Sequence, residues 1–253
     1  MRIATLVGAG AAAAVTAALL GWSGWAAVTW TRYGRTARRA ARDVLLDRYM
    51  PTYEVTDSHA ARVAAPAAVT YATVVGMGMQ ESRAVRAIVR ARERLMRATG
   101  GSSWPAGGIV EQMRSSGWAV LAEEPGRSVA LGAVTQPWRG DVEFRGLPAD
   151  EFRAFDREGY ARILTTIEVE PAGPAASVLR LGTRVATTDA AARARFRRYW
   201  AVFSPGILLI RYALLRRAKG EAERRHRRQR PAAEVARTPG TRATSLLPPA
   251  PAR

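Results

Sequence analysis

The sequence predicts an α+β protein in which a curved antiparallel sheet wraps around one long C-terminal helix, with a single transmembrane helix at the N-terminus. Three observations predict this fold class. Residues 3–30 contain no charged side chain, which is typical of a membrane-spanning helix. Residues 118–136 and 162–186 alternate between apolar and polar, the period of strands with one buried face. Residues 189–217 instead repeat apolar residues every three or four positions, the period of a helix.

The uncharged N-terminal run is long enough to cross a bilayer. A helix of these 28 residues would extend about 42 Å at 1.5 Å per residue, and about 20 residues cross the hydrocarbon. Trp22, Trp25, Trp30 and Tyr33 gather at its C-terminal end, where aromatic rings favour the headgroup layer. We therefore predict a transmembrane anchor over residues 1–34.

Two other interpretations of the N-terminal run stay open. A cleaved signal peptide, which would make the protein secreted, also starts with a basic residue such as Arg2 and continues with an apolar stretch. The run is long for this, and tryptophans and arginines follow it instead of a polar cleavage region. Residues 8–13 match the G-x-G-x-x-A turn of dinucleotide sites, but no acidic residue follows about 20 positions later.

The charges beside the run predict its orientation. Positive flanks stay on the cytoplasmic side of a membrane, and only Arg2 and the terminal amine precede the run. We therefore expect the soluble part of the chain in the cytoplasm. The arginines that follow the run are Arg32, Arg35, Arg38, Arg39 and Arg42.

The composition adds a strong positive charge and excludes thiol chemistry. The chain has 253 residues, a formal net charge of +18 and no cysteine, so it has no disulfide framework and no thiolate metal site. Such a charge attracts anionic lipid headgroups or nucleic acid. The predicted anchor makes the membrane lipid the nearer partner, and no nucleic-acid-binding module is recognisable, so we do not expect nucleic acid as a partner.

Composition divides the chain into four parts. After the anchor, residues 35–50 predict a basic juxtamembrane linker helix. Residues 51–220 are enough for one domain with its own core. Residues 221–253 are basic and then proline-rich, a composition that favours disorder.

The domain begins with one strand and two helices. Residues 53–63 are compatible with a strand, and Pro66 opens a short helix, because proline is tolerated in a first helical turn. Residues 82–96 place apolar side chains on one face and arginines on the rest, which predicts an amphipathic helix. A glycine-rich loop follows at residues 100–108.

Two hairpins and a long helix complete the domain. A tight turn joins the first pair of strands and Gly173-Pro174 joins the second, which indicates antiparallel pairing. In the last helix Thr187, Thr188 or Asp189 can cap the exposed N–H groups, and Pro205 predicts a kink. The strands are predicted at 118–122, 128–136, 141–144, 162–170 and 177–186, with a short helix at 148–155.

The order of these elements resembles the SRPBCC superfamily of START-like and polyketide-cyclase-like proteins, which have the helix-grip fold. Residues 63–71, VAAPAAVTY, look like its first strand turning into its first helix, commonly apolar-x-A-P-x-x-V-x-W/Y. The hairpin at 168–185 is similar to its late strand pair, and residues 189–217 are similar to its C-terminal helix. The likeness spans residues 53–218.

The resemblance implies a cavity between sheet and C-terminal helix that holds an apolar small molecule or lipid, with no fixed catalytic residue. Aromatic residues of the domain could line it, although each of them also suits a plain core. Tyr160, Arg145 and Arg180 are the polar candidates for orienting a ligand. The ligand-cavity candidates are Trp118, Phe144, Tyr160, Tyr199, Trp200 and Phe203.

The residue types do not indicate metal or nucleophilic chemistry. His59 and His226 are the only histidines, and neither has a ligand partner three or four residues away. There is no cysteine and no G-x-S-x-G elbow. His59 is expected on the surface of a strand, and Glu168, opposite Ile167 in the alternation, is expected to face solvent. No catalytic residue, metal or cofactor is therefore predicted.

These observations leave three functions open. The first is a membrane-tethered START-like domain that binds a hydrophobic small molecule or lipid without catalysis. The second is an enzyme of the polyketide cyclase or aromatase type, which a carboxylate or tyrosine pointing into the cavity would favour. The third is a structural or regulatory membrane protein with a closed cavity.

Overall fold

A computed structural model describes residues 16, 20–34, 43–100 and 105–236. Six antiparallel strands form one sheet in the order β1-β6-β5-β3-β2, with β4 paired to β3. Both predicted hairpins are confirmed, as β2–β3 and β5–β6. The strands are β1 (Val55–Val63), β2 (Ala119–Glu124), β3 (Ser128–Thr135), β4 (Phe144–Arg145), β5 (Ala161–Pro171) and β6 (Ser177–Thr187).

Seven α-helices in the described part of the chain pack around this sheet. Three of them start where the sequence provides a start signal: Pro66 precedes α3, the Ser82 hydroxyl caps α4, and the Asp189 carboxylate accepts a bond from the N–H of Ala192 in α7. A 3₁₀ turn, Met79–Glu81, precedes α4. The helices are α1 (20–32), α2 (Val44–Tyr49), α3 (Ala67–Gly76), α4 (Arg83–Leu95), α5 (Ile109–Ser115), α6 (Ala149–Ala154) and α7 (Ala190–Ala236).

The inner face of the sheet packs against α3, α5 and α7 and forms the main core. Alternation along the strands brings their apolar side chains to this face, and α7 closes over it, as the α+β helix-grip architecture requires. Full burial of each such side chain stabilises the fold by about 1.5–3 kcal/mol. The fully buried strand residues of this core are Val63, Val129, Leu131, Val169 and Leu179.

The outer face of the sheet is covered by α2 and α6. Leu46, Tyr49 and Met50 are buried against it, together with Phe152 of α6. The prediction of a juxtamembrane linker helix over residues 35–50 is therefore wrong for its second half, because α2 is part of the folded domain. Its apolar side chains fill the outer layer, which the sequence pattern alone did not require. Residues 35–42 lie outside the described residues.

Helix α7 continues well beyond the predicted end of the domain at residue 220. Residues 221–236 are helical, where disorder was predicted from the sequence. Ala222 is fully buried in the core, and Glu223 accepts a hydrogen bond from the N–H of Ala64 at 3.0 Å. Ion pairs one helical turn apart, such as Glu221 with Arg224 at 2.6 Å, add local support. Tertiary contacts therefore extend the helix into a segment whose composition favours disorder.

Most of the predicted transmembrane anchor, residues 1–15 and 17–19, lies outside the described residues. Its C-terminal part forms α1, which lies beside α7 and makes a hydrogen bond from Trp25 Nε1 to Ser204 Oγ at 3.1 Å. Within the described part of the chain, no helix combines the length and apolar character needed to cross a membrane.

Candidate functional site

The inner face of the sheet carries one polar row of side chains between apolar rows. Asp57 on β1 is paired with Thr183 on β6, and Thr183 is paired with Thr165 on β5. Because paired residues of neighbouring strands point to the same face, all three side chains lie on the face that α7 covers. We call these three residues the polar row. The neighbouring rows pair Val55 with Val185 and Ile163, and His59 with Leu181 and Ile167.

Arg211 of α7 binds the polar row from the opposite side. Its Nη1 donates a hydrogen bond to Oδ2 of Asp57. The two side chains expose only 18% and 14% of their surface, so both charges are largely removed from water. Burial lowers the pKa of Arg211, and the Asp57 carboxylate opposes that shift. Each charge makes the burial of the other tolerable, because an unpaired buried charge is strongly destabilising.

His59 adds a ring nitrogen next to the polar row. Its Nε2 lies 3.0 Å from Oδ1 of Asp57. That contact lacks hydrogen-bond geometry, and the nitrogen is a buried polar atom without a hydrogen-bond partner. The hydroxyls of Thr165 and Thr183 lie 3.0 Å apart and keep lone pairs that can accept further bonds. The site can therefore pair with one polar group of a guest molecule.

The apolar side chains around the polar row are not fully packed. Ile163, Leu181 and Ile207 are only half-buried, whereas the core under α3 is fully buried. A close-packed interior would bury such side chains completely. All three pack against the core clusters on either side of the polar row, and the space between the inner face and α7 stays a prediction.

Two of the predicted cavity residues lie together on α7. The ring centroids of Tyr199 and Phe203 are 4.9 Å apart, and the Arg92 guanidinium lies 5.8 Å from the centre of the Tyr199 ring. Burial raises the pKa of Tyr199, and Arg92 opposes the shift. The Tyr199 hydroxyl therefore stays neutral at neutral pH, and its ring packs against the core cluster that contains Phe196 and Trp200.

The other four predicted cavity residues make separate aromatic contacts. Trp200 is buried in a core cluster and stacks on Phe196 at 5.9 Å. Trp118 lies in the segment before β2 and Phe144 on β4, and their ring centroids are 5.2 Å apart. Tyr160 meets Phe155 edge-on at 5.6 Å, in the segment that precedes β5. The six residues therefore do not form one cluster, and their role in lining a cavity stays a prediction, because aromatic character does not specify which face an element turns inward.

The predicted polar candidates are also not in the space under α7. Arg180 lies on the outer face, because Leu179 and Leu181 on either side of it occupy the inner face. Arg145 is exposed on β4. The residues that do form the site, Asp57 and Arg211, were missed. Alternation from Val55 to Val63 carried the one available signal, since it places Asp57 and His59 on the apolar face.

A separate groove of about 760 Å³ lies on the outer face, between α2 and the sheet. Glu168 and Arg180 are part of its wall, so Glu168 is half-buried in this groove and not freely exposed as predicted. Burial raises the pKa of Glu168, and the nearby Asp43 carboxylate adds to the shift. The buried Arg184 lies at the bottom of the same layer, where Asp47 of α2 pairs with it at 2.6 Å.

In the described ranges, no group of three histidine, cysteine or acidic side chains is arranged to hold a metal ion. His59 has a single carboxylate neighbour, Asp57, and that carboxylate is already bound by Arg211.

Comparison with known proteins identifies no family for the chain. No family model matches it, and no curated protein sequence matches it. Solved structures similar to it include a conserved protein from Geobacillus kaustophilus, at 10% identity and a TM-score of 0.33, covering 68% of this chain and 97% of that one. Zhui aromatase/cyclase from Streptomyces sp. R1128 is 15% identical with a TM-score of 0.25, over 68% and 94% of the two chains. A norcoclaurine synthase mutant from Thalictrum flavum is 11% identical with a TM-score of 0.27, over 65% and 93%.

Because these TM-scores are below 0.5, the fold class rests on the strand order and helix packing of this chain itself. A six-stranded antiparallel sheet closed by a long C-terminal helix is an α+β helix-grip architecture. Together, fold and site describe a helix-grip domain whose inner face is mostly apolar and carries one polar row, Asp57, Thr165 and Thr183.

Proposed function

We propose that the domain binds an apolar small molecule or lipid with one polar group, in the space between the inner face and α7. The observation that carries the proposal is the polar row, with the unpartnered ring nitrogen of His59 beside it, in a face that is otherwise apolar. Small-molecule sites are mostly apolar, with a few polar groups that fix orientation. Apolar burial would supply the affinity, at about 25 cal/mol per Å².

Photocrosslinking in the membrane tests this proposal with the full chain. A fatty acid bearing a diazirine group is added and the sample is irradiated. The labelled tryptic peptides are then identified by mass spectrometry. We expect the label on Ile163 or Thr165, the inner-face residues of the peptide 163–180, located by fragmentation of that peptide. Label on Glu168, Glu170 or Arg180 of the same peptide would instead report the outer groove. Absence of label from this peptide, with label only on other surfaces, would overturn the proposal.

Matched variants separate the two faces of β5. Thr165→Val combined with Thr183→Val removes two hydroxyls from the polar row, and each lost hydrogen bond is worth about 0.5–1.5 kcal/mol. Labelling at limiting probe concentration should therefore fall at least several-fold. Thr166→Val changes the neighbouring residue, which is fully buried on the outer face, and should leave the labelling unchanged.

Membrane tethering is the second part of the proposed function. Residues 3–30 form an uncharged run, and arginines follow it, which supports an N-terminal anchor with the domain in the cytoplasm and with anionic headgroups near the basic flanks. Alkaline extraction of cell membranes, followed by protease digestion from either side, tests this arrangement. Release of the chain by alkali would contradict the anchor, and digestion from the outer side would contradict the orientation.

Acid–base catalysis of the cyclase type is a second candidate function, because a largely buried carboxylate, Asp57, faces the space beside His59. A cyclising aldol condensation forms one carbon–carbon bond and releases one water. A model poly-β-ketone substrate would then lose the mass of one water molecule during incubation with the protein. His59→Asn should abolish this turnover, whereas no mass change with the unaltered chain would exclude catalysis of this substrate class.

A further inference from the structure

The exposed apolar surface of the protein is concentrated on α1 and α7. Of ten large apolar side chains that the described ranges leave exposed, eight lie on these two helices. Three of them, Val202, Leu209 and Tyr212, are spaced seven and three residues apart and share the side of α7 that faces away from the sheet. We call these three residues the outer stripe. Those on α1 are Leu20, Trp22, Trp25, Val28 and Trp30.

Helix α1 lies antiparallel to α7 and contacts it at Arg197 and Ser204. Trp25 bonds to Ser204, and the carbonyl oxygen of Trp30 accepts a hydrogen bond from Arg197 at 2.8 Å. The Arg197 guanidinium also lies 4.1 Å above the Trp30 ring. Even so, the tryptophans of α1 remain substantially exposed. A helix that is apolar on most sides is stable only in apolar surroundings, and the protein supplies them on one side only.

Arginines flank both ends of the outer stripe and favour an anionic partner. Arg198 precedes the stripe and Arg216 follows it, both exposed, about 27 Å apart along the helix axis. Arg216 also lies 5.6 Å over the Tyr212 ring. No acidic residue occurs between residues 190 and 220. A second copy of the same cationic face would therefore be repelled, whereas anionic lipid would be attracted.

We infer that the outer stripe and α1 together dock on the surface of an anionic lipid bilayer. An apolar middle with aromatic residues and flanking arginines is typical of helices that lie in the plane of the membrane interface. The inference rests on the proposed tether, which would hold the domain at the bilayer. With α1 in the plane of the interface, the 17 uncharged residues before Leu20 are the part of the tether that crosses the hydrocarbon. It goes further by assigning an orientation: α7 lies on the lipid, and the outer face of the sheet, with its groove, points into the aqueous phase.

The absence of cysteine allows a direct test with the full chain. Leu209→Cys and Val44→Cys each create a single thiol at an exposed position, with 56% and 86% of the native side chain exposed, for labelling with the fluorophore NBD. Val44 lies on α2, on the opposite side of the sheet, and is the matched control. The labelled chains are reconstituted in vesicles of phosphatidylcholine and phosphatidylglycerol at a ratio of roughly seven to three, so that the surface is anionic.

We expect blue-shifted emission at position 209 that is quenched by spin-labelled lipid and protected from aqueous iodide. The label at position 44 should show the reverse. Arg198→Gln and Arg216→Gln should each lower the ratio of docked to undocked domain about fivefold, from the contribution of one arginine near an anionic surface.

Three outcomes would overturn the inference, and they separate it from the proposed function. A chain that does not float with vesicles refutes both the tether and the docking. A chain that floats, but whose label at 209 is quenched by iodide as strongly as the label at 44, refutes the docking alone. Blue-shifted emission without lipid quenching, which grows with protein concentration, replaces docking by self-association. Photocrosslinking of the peptide 163–180 is independent of all three.

Discussion

A buried ion pair attaches α2 to the outer face of the sheet. Arg184 is 1% exposed and contacts Asp47 at 2.6 Å, while it also donates a hydrogen bond to the carbonyl oxygen of Met50 at 2.9 Å. Its guanidinium lies 4.2 Å over the Tyr53 ring. Asp47→Asn removes the charge of the partner without changing its size. The arginine then stays buried with a carbonyl, an amide and a ring, but without a compensating negative charge.

The structure sets the expected cost between two limits. Breaking a fully buried pair costs about 3–5 kcal/mol, whereas exposed pairs are worth about 0.2–1 kcal/mol. Asp47 is 41% exposed, so water screens part of the attraction. The contacts of Arg184 with Met50 and Tyr53 survive the substitution. We therefore expect a loss of about 2 kcal/mol, which lowers the melting temperature of a domain of this size by roughly 4–8 °C.

Thermal unfolding of the full chain in detergent, followed by near-ultraviolet circular dichroism, measures this effect. Glu124→Gln is the matched control, because Glu124 pairs with Arg127 at 3.2 Å with both side chains 60% exposed. The control should shift the melting temperature by only about 2 °C or less. Equal shifts for the two variants would refute the reasoning, since burial of one partner would then make no difference.

Three further predictions concern the outer layer and the end of α7. Because burial, and then Asp43, raise the pKa of Glu168, its ionisation disfavours the folded state as the pH rises above the ordinary 4.5. Glu168→Gln should therefore raise the urea midpoint at pH 8 and leave it unchanged at pH 4. Gly182→Ala would place a Cβ 2.6 Å from Oγ1 of Thr166 and 3.0 Å from Cδ1 of Leu46, and should cost about 1–3 kcal/mol by overpacking. Glu223→Ala removes the bond to the Ala64 N–H and should cost about 1–2 kcal/mol, with faster amide exchange across residues 221–236.

Each of these three substitutions has a matched control substitution elsewhere in the protein. Glu170→Gln changes an exposed carboxylate on the same strand and should not alter the pH dependence; a similar change in both variants contradicts the role of burial. Gly76→Ala has no atom within 4 Å of the new Cβ, so a cost equal to that of Gly182→Ala would contradict the overpacking argument. Glu221→Ala removes only surface pairs, worth about 0.2–0.5 kcal/mol each. An effect as large as that of Glu223→Ala would contradict the stabilising role of the bond between Glu223 and the Ala64 N–H.

The hairpins and the start of the last helix could be predicted because their signals are local. Alternation in residues 162–186 specifies a pair of strands and the face that each side chain occupies. The Asp189 cap and the helical spacing after it specify where α7 begins. These signals need only neighbouring residues, and they gave the correct α+β class.

The candidate site could not be predicted in the same way because its parts are distant in sequence. Asp57 and Arg211 are 154 positions apart, and they meet only because β1 is an edge strand beneath α7. The prediction selected six aromatic residues instead, and the structure places them in several separate aromatic contacts. Residue type identifies which side chains suit a pocket, but strand order and helix packing select the ones that reach it.

By itself, the sequence determined both hairpins, the start of α7, the uncharged N-terminal run and the excess of positive charge, because each depends on consecutive or regularly spaced residues. Only the tertiary structure decided that α2 joins the domain, that α7 stays helical to Ala236, and that an arginine, a carboxylate and a histidine converge under α7. The physical reason is that burial against distant parts of the chain changes the free energy of a segment by more than its own composition does.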